Sequence, residues 1–190
     1  MMDNEQIERK TVVSGEFEDV VEIQKHYYLI SKKHRVTVLP YTIDSRGLLD
    51  KVGVIKDYNY VFEDYDFTLI NGYISQDDGT DLVAANRVLF EVIGTNVTNA
   101  DNWMYLGSLY NNLTSDSAIS LYCVDVTQTE IKESEELEQN QKKIRFQMID
   151  VSRATTSDDT LILASFFRLF DYFYINSLTE KTEINNDLKK

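Results

Sequence analysis

Alternation of apolar and polar residues dominates the chain and is typical of short β-strands. Strands are predicted over seven segments, of which the first four alternate: residues 11–13, 20–23, 27–30, 35–43, 52–57, 117–126 and 144–151. Pro40, the only proline of the chain, falls within the fourth segment. Because proline cannot donate to a sheet ladder, we expect it at a strand edge or a bulge. The pattern predicts a domain rich in β-sheet.

Two segments have the apolar spacing of helices instead. The first ends at Gly94 and begins at Thr80 or Asp81, either of which can cap a helix N-terminus. The second is predicted over residues 158–174. The charged residues 130–143 predict an exposed loop or a short helix, and residues 180–190 predict a polar tail that frays. Strands that alternate with helices indicate an α/β fold.

The segment from Gly72 to Thr95 reads GYISQDDGTDLVAANRVLFEVIGT. Its helical part resembles the signature of the Nudix hydrolase superfamily, whose helix reads Arg-Glu-aliphatic-any-Glu-Glu-any-Gly. The matching residues run from Arg87 to Gly94 and read RVLFEVIG, so the arginine, one glutamate (Glu91) and the final glycine are kept. Gly72 matches the glycine that opens the box in that superfamily.

Flanking segments resemble the ADP-ribose pyrophosphatase-like branch of the superfamily. They are VSGEF at 13–17, VGVIKDY at 52–58, FTLINGYI at 67–74, AANR at 84–87 and the aromatic segment 103–110. The resemblance runs from about Val12 to Tyr174. It implies an α+β Nudix fold, in which a mixed sheet is sandwiched between helices. It divides the chain into an N-terminal antiparallel β extension (1–40), the Nudix domain (41–178) and a polar tail (179–190).

Two of the three helix glutamates of the superfamily are replaced by valine here, at Val88 and Val92. Nudix enzymes hydrolyse a nucleoside diphosphate linked to another group, using magnesium held by carboxylates. Residues four apart share one face of a helix, so the two valines replace a metal-binding edge with an apolar one. Glu91 points elsewhere, and the earlier glutamate of the box falls at Asp78 or, in a second register, at Gly79. The resemblance thus implies a degenerate box with no assigned catalytic residue, metal or cofactor.

Two alternatives stay open beside an inactive protein. A divergent pyrophosphohydrolase would bind Mg²⁺, and its candidate ligands are Asp77, Asp78, Glu91 and one of Glu133, Glu135, Glu136 and Glu138. A ligand sensor would instead keep a site for an ADP-ribose-like compound or a nucleotide sugar. In that site Tyr58, Tyr60 or Trp103 would stack on the adenine ring.

The composition is that of a soluble globular protein, with 190 residues, 43% of them hydrophobic and 27% charged. The net charge of −13 disfavours a nucleic-acid partner. No apolar run approaches the ~20 residues that span a bilayer, and the polar opening residues predict no signal peptide. Cys123 is expected as a buried free thiol in a reducing compartment. We expect the protein to be cytoplasmic. The low proline content and the abundance of Asn, Asp, Ile and Tyr fit a bacteriophage source, and a phage protein would be located in the host cytoplasm or in the virion.

Both predicted helices carry more apolar side chains than one face against a sheet requires. Large exposed apolar patches mark interfaces. We therefore expect a homo-oligomer or another protein partner, and we expect the interface to include Val88, Val92, Phe170 and Phe173. The resulting hypothesis is a catalytically inactive Nudix-fold protein that acts as a binding or structural module, such as a virion or assembly component.

Overall fold

A computed structural model of the chain describes residues 9–59, 63–110, 116, 118–131, 137–139 and 142–187. Three strands form a separate antiparallel sheet at its start: β1 (Arg9–Ser14), β2 (Glu18–Ile23) and β3 (His26–Ser31). β1 is exposed along its whole length, and Val21 is the one buried residue of the three strands. The three strands predicted from the alternating pattern are confirmed, and they form a thin sheet beside the main domain.

Eight described strands form one mixed sheet: β4 (Arg35–Ile43), β5 (Leu49–Asn59), β6 (Asp64–Thr68), β7 (Ile70–Tyr73), β8 (Trp103–Tyr110), β9 (Ala118–Asp125), β10 (Leu137–Gln139) and β11 (Lys142–Asp150). Their order is β10-β11-β5-β4-β9-β8, with β6 paired to β5 and β7 paired to β4. β4 runs parallel to β9 and antiparallel to β5 and β7. The charged run 130–143 was predicted as a loop or helix, but it contributes β10 and the start of β11.

β4 changes partner along its length. Tyr41 opposes Val52 on β5, whereas Val38 opposes Ile70 on β7. Pro40 lies between the two pairings, in a central strand and not at the edge or bulge that we expected. Neither the β5 register nor the β7 register includes it, so its missing N–H interrupts no hydrogen bond of either ladder.

Helices cover both faces of the sheet. The helix α1 (Asp81–Ile93) packs on one face, and α2 (Val151–Ala154) and α3 (Thr160–Asp187) pack on the other. β4 serves both cores, because alternate side chains of a strand point to opposite faces. Val36 and Val38 lie beneath α1, and Leu39 and Tyr41 lie beneath the other two helices. The predicted sheet between helices is confirmed.

β4 and α3 both extend across boundaries that we expected from the sequence. A domain boundary at residue 40 would cut β4, which belongs to the main sheet, so the N-terminal sheet ends between Ser31 and Arg35. The helix α3 starts where Asp159 Oδ1 accepts hydrogen bonds from two backbone N–H groups, and it continues to Asp187 through most of the tail that we expected to fray. No helix within the described residues is both long enough and apolar enough to cross a membrane.

Candidate functional site

The helix that carries the box residues is fixed at both ends by its own sequence. The Thr80 hydroxyl caps the N-terminus of α1 by accepting a hydrogen bond from the Val83 N–H at 3.3 Å. Gly94 ends the helix with a left-handed backbone, at φ 71°, which side chains with a Cβ rarely adopt. Between these caps, α1 presents Arg87 to the loop that joins it to β7.

Arg87 ties that loop to the helix and to the sheet. Its Nε and Nη2 donate to the two carboxylate oxygens of Asp78, both at 2.8 Å. The same Nη2 donates to the carbonyl oxygen of Tyr73 at 2.8 Å, and Nη1 donates to Glu91 Oε1 at 2.9 Å. The guanidinium fork matches a carboxylate in this bidentate arrangement. One side chain therefore holds the end of β7, the loop and the second half of α1 together.

Asp78 is the buried counter-ion of this arginine. It is 6% exposed, and its Oδ2 also accepts a hydrogen bond from the Ser75 N–H at 2.7 Å. The hydrogen bonds from Arg87 outweigh the effect of burial and lower the pKa of Asp78 to about 2. Of the two residues left open for the earlier glutamate of the box, Asp78 is the one that faces the arginine, whereas Gly79 is an exposed turn residue with φ 70°.

Val88 and Val92 are core residues, 1% and 2% exposed. A Cβ atom at Gly72 would lie 2.6 Å from Val88 Cγ2, so the bare glycine of β7 lets the valine reach the sheet. The two valines, which we expected at an interface, are covered by the sheet of the same chain. The uncovered apolar residues of α1 are Val83 and Phe90, 51% and 46% exposed. At the positions where the resemblance places metal-binding glutamates, the helix presents methyl groups to its own core.

Asp77, Asp78 and Glu91, the described acids of the hydrolase alternative, are not assembled into a metal site. Asp78 and Glu91 are both bound to Arg87, and Asp77 is exposed in the loop. In the part of the chain that the structure describes, no group of three His, Cys, Asp or Glu side chains could hold a metal ion. Three of the loop glutamates, Glu133, Glu135 and Glu136, lie outside the described residues, and for Glu138 only the backbone in β10 is described.

Tyr58 and Trp103 lie on different parts of the sheet. Their strands β5 and β8 are separated by β4 and β9, and the pairing registers offset the two residues further, so about 20 Å separates them. The Tyr58 ring meets the Tyr65 ring edge-on, with centroids 5.2 Å apart. The two described candidates for stacking on adenine therefore lie in separate places, and the third, Tyr60, lies outside the described residues.

Trp103 does line a small pocket beside the start of α1, with a volume of about 180 Å³. Its indole N–H donates to the Val97 carbonyl at 2.8 Å, and the Val97 N–H donates to Asn86 Oδ1 at 3.2 Å. These bonds fix the pocket wall. The other lining residues are Leu82, Val83, Thr98 and Ala100. Small-molecule sites usually measure ~300–1,000 Å³, so this pocket has room for a ring or one side chain and not for a whole dinucleotide.

Phe170 and Phe173 have different surroundings on α3. Phe170 is 48% exposed and stacks on Tyr174, with ring centroids 6.4 Å apart. Phe173 is half-buried and meets the Tyr41 ring edge-on at 5.7 Å, against the core beneath α3. Of the four residues predicted at an interface, Phe170 is therefore the one whose side chain is largely exposed.

Tyr73 was not singled out from the sequence, yet it joins the N-terminal sheet to the box arginine. Its ring stacks on Phe17 with centroids 4.6 Å apart, and its hydroxyl accepts a hydrogen bond from Arg35 Nη2 at 2.7 Å. Lys33 Nζ lies 4.7 Å from the centroid of the Phe17 ring. The backbone carbonyl of Tyr73 accepts the hydrogen bond from Arg87 Nη2. No spacing in the sequence indicates this junction, because its members come from separate segments.

The backbone is similar to that of a solved structure described as an ADP compounds hydrolase. The TM-score is 0.61 at 15% sequence identity, and the match covers 89% of this chain and 93% of that chain. The chain has the Nudix fold. The fold predicted from the resemblance is thereby confirmed, while an identity this low shows the fold alone. No protein-family model matches the sequence, and no curated protein matches it.

Proposed function

We propose that this chain is a Nudix-fold protein that does not hydrolyse nucleoside diphosphates and that acts through binding or assembly. The burial of Val88 and Val92 beneath α1 supports the proposal. Magnesium stabilises the charge on phosphoryl oxygens during hydrolysis, and it requires oxygen ligands. At the two positions where the resemblance implies glutamates, this helix offers only methyl groups.

The arginine network supports the same proposal. Asp78 lies in the loop before α1 and Glu91 lies in α1 itself, and each is bound to Arg87. A metal would have to compete with charge-assisted hydrogen bonds that also hold the loop in place. We infer that the surviving box residues stabilise the loop and helix.

An assay with ADP-ribose in the presence of Mg²⁺ or Mn²⁺ tests the proposal, with release of AMP as the measurement. We expect no release above that of protein-free buffer. Glu130→Gln, at an exposed loop residue, is the control. AMP release that disappears in Glu91→Gln but persists in this control would identify the protein as a divergent pyrophosphohydrolase instead. That activity would match the class of the similar solved structure.

The proposed partner is a protein or a second copy of the chain, and Phe170 provides an exposed apolar contact. A second candidate is binding of an ADP-ribose-like ligand without hydrolysis, which the pocket beside Trp103 supports for a ring-sized part of the ligand. A thermal shift with ADP-ribose tests it, because a ligand that binds the native state raises Tm. A role in a phage virion or in the host cytoplasm rests on composition alone.

A further inference from the structure

The hairpin of β5 and β6 has two faces of opposite character. Residues directly opposite each other in an antiparallel pair point to the same side. On one side Asp57 opposes Asp66, and Asp64 lies beside them. The other side carries three basic and three aromatic side chains, two of which come from outside the hairpin: Arg145 from the neighbouring β11 and Arg153 from α2. The four from the hairpin itself are Lys56, Tyr58, Tyr65 and Phe67. We call this second side the basic–aromatic face.

Two basic side chains of this face lie over its aromatic rings. Lys56 Nζ lies 5.0 Å from the centroid of the Tyr65 ring, and the guanidinium carbon of Arg153 lies 4.6 Å from that of Phe67. Arg145 is the cross-strand partner of Lys56, which places the backbone of a third basic residue about 5 Å away on the neighbouring strand. A cation on a ring is positioned and partly desolvated by it, and a stacked guanidinium keeps its N–H edge available for an anion.

Neither Lys56 nor Arg153 forms an ion pair within the described part of the chain. That is notable because the protein carries 32 acids against 19 lysines and arginines. Arg153 is exposed, and Tyr65 is 58% exposed. Lys56 and Arg153 therefore present cations that pair with no carboxylate of the described residues, next to accessible aromatic surface, on a molecule that is acidic overall.

We propose that the basic–aromatic face binds an acidic polypeptide segment of a partner protein. This assignment rests on the proposed binding function and specifies the partner. Carboxylates pair with the cations, and apolar parts of the peptide contact Tyr65 and Phe67. From Arg145 across Lys56 to Phe67 the face spans two strand spacings, about 10 Å, which is the length of about three extended residues. Single-stranded nucleic acid fits less well, because bases need open ring faces and here cations lie over the rings.

Fluorescence anisotropy with a labelled octaglutamate peptide tests this proposal, at low salt and again at about 0.2 M salt, where exposed charges are screened. We expect binding that weakens with salt. The double charge reversal Lys56→Glu with Arg153→Glu should weaken it about tenfold or more, since each lost exposed pair accounts for up to about fivefold. Lys56→Arg with Arg153→Lys should retain most of it.

The matched control is Lys10→Glu with Lys51→Glu, which makes the same change in net charge. Lys51 is exposed on the opposite side of β5, and Lys10 is exposed on β1. We expect a loss of less than about twofold from this control. An equal loss in both double variants would assign the effect to net charge and overturn the proposal, as would the absence of peptide binding at low salt. Arg153→Glu alone, at an exposed position, provides the same test if the double variant does not fold.

Binding of either of two other partners at the basic–aromatic face would also overturn the proposal. Tighter binding of an oligothymidylate of equal length, lost in the same reversals, would assign the face to nucleic acid. Self-association that the reversals abolish would assign it to a second copy. The hydrolysis assay does not involve this face, so turnover of ADP-ribose contradicts the proposed function alone, and failure to bind the peptide contradicts this inference alone.

Discussion

Gly72 on β7 and Val88 on α1 are in such close contact that a Cβ atom added to the glycine would lie 2.6 Å from Val88 Cγ2. The glycine shows no positive φ, so its role is the close approach of helix and sheet and not an unusual backbone. The contact lies at the point where the resemblance places a metal-binding glutamate. In this chain that point is part of the hydrophobic core.

Gly72→Ala should therefore destabilise the protein by about 1–3 kcal/mol, the usual cost of inserting an extra methyl group into a packed core. Val88→Ala removes the atoms that collide with it. In the Val88→Ala background the same glycine substitution should cost less than about 0.5 kcal/mol. Urea unfolding of the two single variants and the double variant measures this coupling. Additive costs would show that the contact is not what requires glycine.

Restoring the glutamates should fail to restore a metal site. Val88→Glu with Val92→Glu places two carboxylates in the core beneath α1, and burying an unpaired charge there should cost about 3 kcal/mol or more and unfold a marginal protein. The matched control is Val83→Glu, at a 51% exposed position on the same helix, which should cost less than about 0.5 kcal/mol. Thermal unfolding with and without Mg²⁺ is the measurement. A stable double variant whose Tm rises with Mg²⁺ would contradict the expectation.

The ion pair of Asp78 and Arg87 predicts that the free energy of unfolding depends on pH in the acidic range. The pKa of Asp78 is about 2 in the folded protein against an ordinary value of 3.8. A carboxyl group whose pKa is lowered by folding stabilises the fold at pH values above its unfolded pKa. That contribution is lost as the pH falls from about 4 through about 2. The difference in free energy of unfolding between the wild type and Asp78→Asn should shrink across this window.

Urea unfolding at a series of pH values measures that difference. At neutral pH we expect Asp78→Asn to cost about 2 kcal/mol, because it removes charge-assisted hydrogen bonds from Arg87. The neighbouring Asp77→Asn, at an exposed position, should be close to neutral throughout. A constant difference between wild type and Asp78→Asn down to pH 2 would argue against the lowered pKa.

Local signals in the sequence were sufficient for seven of the eleven described strands and for the caps of α1, but not for β6, β7, β8 and β10. The alternating runs near the N-terminus form β1 to β3, and Thr80 and Gly94 bound α1 as predicted, because cap and strand chemistry act over a few neighbouring residues. Helical spacing also placed Val88 and Val92 on one face. It could not say that this face meets β7, because the depth of contact depends on Gly72, which is distant in the chain.

The same limit explains the other errors. The placement of Tyr58 far from Trp103 follows from the order of strands in the main sheet, and the stacking of Phe17 on Tyr73 follows from the contact of the separate N-terminal sheet with β7. Strand order is set by the packing of the whole domain, and no single segment records it. The charged run 130–143 was predicted by composition as a loop or helix, yet Leu137–Gln139 pairs with β11, since pairing with a neighbouring strand can override local propensity.

Cys123 should be unreactive in the folded protein. It is fully buried in β9 and was predicted as a core thiol, which the structure confirms. Burial raises the pKa of this thiol to about 12, and the thiolate is the reactive form. We expect negligible labelling by a thiol reagent at pH 8 and complete labelling in denaturant. Rapid labelling of the native protein would indicate that β9 opens readily.

Two phenylalanines three positions apart on α3 separate association from folding. Phe173→Ser should cost about 2 kcal/mol, because its ring is half-buried against Tyr41. Phe170→Ser should change the free energy of unfolding by less than about 0.5 kcal/mol, because its ring is 48% exposed. If Phe170 contacts a second copy, light scattering at high protein concentration will show association in the wild type and a loss of it in Phe170→Ser, while circular dichroism shows an intact fold. A wild type that stays monomeric would leave Phe170 without a role in self-association and would contradict the homo-oligomer.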